Sequence, residues 1–188
     1  EEHLQVELPC SVPFPPERMK PPPFSAMEGR VNPKGIPCLY AADDRNTAMA
    51  EMRPFTGETL SVARLEVNRE LRIVDCCQNV QVPRFDVNMG PSEREKVVWG
   101  MISLAFSIPV ERKDNEADYA PTQVLGEFFR KHDFDGVKFR SGLGEGHNFA
   151  LFDLAAADVI GECDLYTTKK VSFSFERETN HYHFSYLT

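Results

Sequence analysis

The sequence lacks most of what would commit it to a membrane or a polyanion. None of its apolar runs approaches the ~18 consecutive positions of a membrane span, and its amino terminus shows no basic segment followed by an apolar one. Basic residues are in deficit: 21 Lys+Arg stand against 29 Asp+Glu, for a net charge of −8. That balance argues against a broad cationic surface for nucleic acid or anionic lipid, while one or two arginines can still hold a single phosphate. Cysteine is sparse and odd in number, at 10, 38, 76, 77 and 163, with no C-x-x-C spacing, so one thiol is left over from any full pairing. A reducing compartment follows, and the expected location is cytoplasmic. A closed zinc site wants four N or S ligands. The nearest chelate, His181-x-His183 with Glu176 and Glu178, lies on an alternating segment and reads as ordinary strand surface, so no metal is expected. The chain opens on Glu1 rather than Met, which leaves room for upstream sequence carrying a leader or a further domain.

What is present suits one core-bearing domain, since 188 residues are too few for two comfortable ones. Residues 1–28 hold seven of the 14 prolines, including Pro21-Pro22-Pro23, which favours extended backbone over helix. They read as an arm or linker, and the alternation of Leu4, Val6, Leu8, Val12 and Phe14 would let that arm lie against the domain as an edge strand. Residues 29–188 read as the folded domain. Strands are expected over 38–41, 60–67, 71–74, 137–139, 149–152, 159–165, 171–175 and 182–186. A short helix is expected over 47–52, capped at Asn46 and ended by Pro54. A longer helix starts near Pro91, with Val97, Val98, Met101, Ile102 and Ala105 as its apolar stripe, and another spans 122–132 on Val124, Leu125, Phe128 and Phe129. Strands not strictly alternated with helices predict an α+β fold with a mixed, largely antiparallel sheet and a few helices.

Two places concentrate polar side chains beside turn chemistry. The first is Gly29-Arg30-Val31-Asn32-Pro33-Lys34-Gly35-Ile36-Pro37, leading to Leu39-Tyr40 and then Thr47-Ala48 with Glu51-Met52-Arg53-Pro54. The second is Arg140-Ser141, the loop Gly142-Leu143-Gly144-Glu145-Gly146, and Asn148. Strand ends and tight bends are where scaffolds place their sites. With Ser61-Val62-Ala63, Pro121-Thr122-Gln123, Phe134-Asp135-Gly136-Val137 and Leu151-Phe152-Asp153, these segments occur in the order of the RES-domain family, which the chain resembles over roughly residues 28–155. Two features depart from that pattern: Gly142 stands where a second serine is common, and the proline-rich arm is longer than the start of compact members.

The resemblance implies a fold similar to ADP-ribosylating toxins and an enzyme that consumes NAD as substrate by cleaving its nicotinamide–ribose bond, with phosphate or water as acceptor. It also implies the toxin of a toxin–antitoxin pair, whose partner is a helix-turn-helix antitoxin protein. Mono-ADP-ribosyl transfer to a protein is the alternative chemistry, and a non-catalytic nucleotide-binding module the alternative class. Neither membrane nor direct nucleic acid binding is expected. Loss of nicotinamide builds positive charge on the ribose, and a nearby carboxylate stabilises it; Glu51 is the candidate. A diphosphate is best met by a guanidinium, and Arg30 is the first choice. Tyr40 can stack on nicotinamide or donate to the ribose, while Ser141 and Asn148 can hydrogen-bond the nicotinamide ribose or amide. Arg53 is a further phosphate contact, and either Arg53 or Arg140 can instead brace Glu51. Each has a plainer reading: Glu51 with Arg53 as a helix-end pair, Arg30 holding the Asp43-Asp44 turn, Tyr40 as a core aromatic, and the glycine loop as a connector.

Overall fold

The computed structural model describes residues 12–22, 26–77, 89–108 and 119–175. Short apolar runs form β1 (Leu39–Ala42), β2 (Thr59–Val67), β3 (Ile73–Asp75), β4 (Gly136–Arg140), β5 (His147–Leu151) and β6 (Ala157–Thr167), with helices α1 (Arg45–Glu51), α2 (Pro91–Ser107) and α3 (Ala120–Lys131) between them. Four strands make the central sheet in the order β1-β5-β4-β3. Strand β5 runs antiparallel to β1 and β4, and β3 pairs parallel to β4. Strands β2 and β6 form a separate antiparallel pair whose register shifts between Val62 and Arg64. The extra residues fall on β6 around Gly161, whose φ of +70° suits such a bulge. The fold is α+β with a mixed sheet, as the pattern of elements predicts.

One face of the central sheet packs Val74, Val137, Phe139 and Ala150 against Phe106 of α2 and Phe129 of α3. The Phe106 and Phe139 rings meet with centroids 5.6 Å apart. Leu39 and Leu151 lie in a second cluster with Ala156 and Ala157, joined by Leu65 of β2. By cross-strand register, Tyr40, Ala42, Asn148, Ala150, Val137 and Phe139 share one face. Tyr40 and Asn148 therefore stand on the same face as the helix-covered core.

Several expectations need correction. The α2 helix buries Val97, Gly100, Ser103 and Phe106, while Val98 and Met101 are more than half exposed. The α3 helix buries Thr122, Gly126 and Phe129 and leaves Val124 and Phe128 open. In α3 a small residue takes a close approach: a Cβ on Gly126 would sit 2.9 Å from the Val31 carbonyl oxygen. Of the expected stripes, Val97, Ile102, Leu125 and Phe129 do face the core, whereas Val98, Met101, Val124 and Phe128 lie on the exposed side. The cap of α1 is Asp44, which accepts from Thr47 N at 2.8 Å, and Asn46 lies inside the helix. Residues 171–175 form no strand, because the β2–β6 pairing ends at Thr59 and Thr167. The expected strand over 182–186, the His181 and His183 pair, and Leu4, Val6 and Leu8 of the arm lie outside the described residues. Val12 and Phe14 form no edge strand. The arm is nevertheless tied to the body: Phe14 N–H donates to Ser61 Oγ at 2.9 Å, and Lys20 Nζ to the Leu154 carbonyl at 2.9 Å. Among the described residues no helix is long and apolar enough to cross a membrane.

Candidate active site

Arg30 stands on a turn fastened from several sides. Gly29 N–H donates to the Asn32 carbonyl at 3.0 Å. The buried Asn32 side chain donates to the carbonyls of Met27 and Ile36 at 2.9 and 2.8 Å. From α3, Gln123 Nε2 reaches the Gly29 and Asn32 carbonyls at 3.1 and 3.2 Å. Glycine is required at 29, where a Cβ would lie 2.5 Å from the Tyr40 hydroxyl oxygen.

The Arg30 guanidinium donates to the Ile108 carbonyl at 2.5 Å and to the Ala105 carbonyl at 3.4 Å, so it satisfies carbonyls left open at the end of α2. It holds that helix end rather than the Asp43-Asp44 turn. Its charged face lies 5.9 Å from the centroid of Phe139. Burial lowers its pKa, opposed by the fields of Tyr119, Glu51 and Tyr40, while nearby Arg53 pushes in the same direction as burial. Arg30, Tyr40, Glu51 and Arg53 thus belong to one electrostatic neighbourhood.

Tyr40 has an occupied hydroxyl and an open ring. The hydroxyl donates to Asn32 Oδ1 at 2.7 Å and accepts from Val31 N–H at 3.1 Å. Burial of that oxygen raises its pKa far above the usual tyrosine value, so it stays protonated at neutral pH. Yet 41% of the residue is exposed, which leaves ring surface for stacking.

Glu51, at the last position of α1, collects two side chains from the second polar segment. Ser141 Oγ and Asn148 Nδ2 each donate to Glu51 Oε1 at 2.6 Å. Both bonds are charge-assisted and converge on one oxygen, which fixes the carboxylate's direction. Asn148 is buried on β5, opposite Ala42 of β1 and Phe139 of β4. Ser141 Oγ also accepts from Leu143 N–H at 3.0 Å and Gly144 N–H at 2.8 Å, so the glycine loop closes on the side chain that approaches Glu51. The loop is therefore more than a connector.

The other two arginines take different places. Arg53 follows α1 with a left-handed φ of 48° and acts on Arg30 through its charge. Arg140 Nε donates to the Cys77 carbonyl at 3.3 Å, tying the end of β4 to the chain after β3. The structure thus joins Glu51, Ser141 and Asn148 directly and sets Arg30, Tyr40 and Arg53 around them. Sequence reasoning assigned no role to Asn32, Gln123, Asp43, Thr47 or His147, which hold these residues in place. The spacing Asp44-x-x-Thr47 is a capping signal that points to one of them; Asn32 acts within its own turn and on Tyr40, whereas Gln123, Asp43 and His147 act across long sequence separations. Among the described residues no group of three His, Cys, Asp or Glu side chains could hold a metal ion.

A family model described as the RES domain matches residues 11–176, taking in part of the proline-rich arm and most of the chain after it. No curated protein and no solved structure matches the chain.

Proposed function

The chain belongs to the RES-domain family, and from that premise we propose that it consumes NAD by breaking the bond between ribose C1′ and the nicotinamide nitrogen. The observation that carries this reading is the convergence of Ser141 and Asn148 on Glu51 Oε1. Nicotinamide departs with the bonding electron pair, and positive charge develops on the ribose. A carboxylate held in a fixed direction stabilises that charge without reorganising during the reaction. Water or phosphate then forms the new bond to C1′, and water gives up its proton to solvent. Tyr40 offers its ring to the nicotinamide. Arg30 and Arg53 supply positive charge for the diphosphate.

The reading includes a fold like that of ADP-ribosylating toxins and control by a helix-turn-helix antitoxin protein. Its test is incubation of the purified chain with NAD, with and without phosphate, followed by identification of products. Nicotinamide with ADP-ribose indicates hydrolysis, and nicotinamide with a phosphorylated ADP-ribose indicates phosphorolysis. Label carried from NAD onto a protein would move the assignment to mono-ADP-ribosyl transfer. Intact NAD throughout overturns the proposal and leaves a nucleotide-binding module.

A further inference from the structure

The loop 141–146 lies on one face of α1. Thr47 and Glu51 are four residues apart, so their side chains stack on the same side of the helix. Thr47 Oγ1 accepts from Gly146 N–H at 3.0 Å, and Glu51 Oε1 accepts from Ser141 at the other end of the loop. Thr47 is buried, and its hydroxyl donates to Asp44 Oδ2 at 3.0 Å, which aims the oxygen lone pair at Gly146. Asp43 closes the same end: Oδ1 accepts from His147 N–H at 2.8 Å and Oδ2 meets His147 Nδ1 at 2.9 Å.

The two glycines facing α1 are there because the backbone lies directly on it. A Cβ on Gly144 would come 2.6 Å from Thr47 Oγ1 and 2.8 Å from Thr47 Cα; one on Gly146 would come 2.5 Å from Asp43 Oδ1. A glycine-rich stretch that reads as flexible in the sequence is thus fastened at both ends. Asn148 follows the fastened His147 by one residue, so the clamp also sets where its amide meets Glu51.

Resting on the NAD-cleaving reading, we infer that Thr47 is a positioning residue, which with Asp43 locks the 141–146 loop onto α1 so that Ser141 and Asn148 converge on Glu51. It touches no substrate. Its effect comes through geometry, and a displacement of ~1 Å at a reacting centre can cost ~100-fold in rate.

The test uses the full chain with Thr47→Val, which keeps the shape of the buried side chain and removes the hydroxyl, and Thr47→Ser, which restores the oxygen. Amide hydrogen exchange at Gly144 and Gly146 is read alongside kcat and KM for NAD. Thr47→Val should speed exchange at Gly146 by ~10-fold or more as its acceptor is lost, and lower kcat by ~10-fold with KM changed less than ~3-fold. Thr47→Ser should return exchange and kcat towards wild type. Unchanged exchange and kcat in Thr47→Val overturns the inference, as does a Thr47→Ser chain as impaired as Thr47→Val. Should Thr47→Val fail to fold, Gly144→Ala pushes the loop off Thr47 from the other side and should give the same pattern, with wild-type behaviour counting against the clamp. A wild-type chain that leaves NAD intact refutes the proposed function alone, because loop exchange still decides the clamp.

Discussion

Asn148 and Glu51 stand 97 positions apart in the chain, and the Asn148 amide donates to the Glu51 carboxylate at 2.6 Å. The contact requires two independent placements. Antiparallel register puts Asn148 opposite Ala42 on β1, and the Asp44 cap starts α1 just after that strand, so the helix ends with Glu51 over β5. A buried amide whose partner is a carboxylate is costly to orphan, which makes the pair sensitive to changes on either side.

Glu51→Gln keeps the size of the side chain and removes its charge. Turnover of NAD should fall by ~100-fold or more, because stabilisation of the ribose cation depends on that charge. The thermal midpoint should stay near wild type, since a glutamine carbonyl can still accept from Ser141 and Asn148. A folded Glu51→Gln chain with wild-type turnover would show that the carboxylate is not part of the chemistry.

Tyr40→Phe separates the roles of hydroxyl and ring. The hydroxyl serves Val31 and Asn32 inside the protein, so its loss should destabilise the fold by about 1–3 kcal/mol, as expected for buried partners left unpaired. NAD affinity measured on the folded fraction should change little. Tyr40→Leu, which removes the aromatic face, should weaken NAD binding more than Tyr40→Phe. Denaturant midpoints and calorimetric titration read the two effects independently.

The α+β fold and the segments that meet at Glu51 were legible in the sequence, and what was not has identifiable physical causes. Leu39–Ala42 is an apolar run, and Gly136–Arg140 alternates Val137 and Phe139 with Lys138 and Arg140. Tyr40, Ser141 and Asn148 fall on or beside such strands, whereas Glu51 ends α1 and Arg30 sits on the turn before β1. The contact of Arg30 with α2 was not legible, because the carbonyls it serves at Ala105 and Ile108 come close only after α2 packs. The helix faces were only partly legible because Gly100, Ser103, Thr122 and Gly126 are among the buried positions, and apolar periodicity gives little weight to small or polar side chains. The clamp at Thr47 was hidden for a related reason. Its acceptor is a hydroxyl, and its donor is a backbone N–H in a stretch whose glycines suggest freedom.

Arg30→Lys retains charge and loses the fork that spans two carbonyls. The structural cost should appear as a thermal midpoint several degrees lower, from loss of about 1–3 kcal/mol of hydrogen bonding to a charged group. NAD affinity should fall as well, whereas binding of nicotinamide alone should be nearly unchanged. Equal losses for both ligands would assign Arg30 to the helix end only. An unchanged midpoint would show that lysine satisfies the α2 carbonyls equally well.

Acid should destabilise the fold through specific aspartates. Asp135 has its carboxyl held below the ordinary value by the Arg72 backbone N–H and by the Arg69 guanidinium, which approaches it at 2.7 Å. The Asp44 carboxyl is lowered by the Thr47 backbone N–H and hydroxyl. At Asp43, burial pushes the carboxyl up, but the His147 backbone N–H, ring and charge bring it below its usual value. Groups whose folded pKa is depressed bind fewer protons in the native state than in the unfolded state. Their contribution is complete above the unfolded carboxylate value near ~4 and is lost as pH falls through the lower folded values. The urea midpoint should therefore hold level between about pH 7 and 5 with respect to these groups and drop below about pH 4. Asp135→Asn should be less stable at pH 7 and show a shallower acid drop than wild type. A midpoint that rises on acidification through this window would contradict the assignment of these carboxylates as native-state anions.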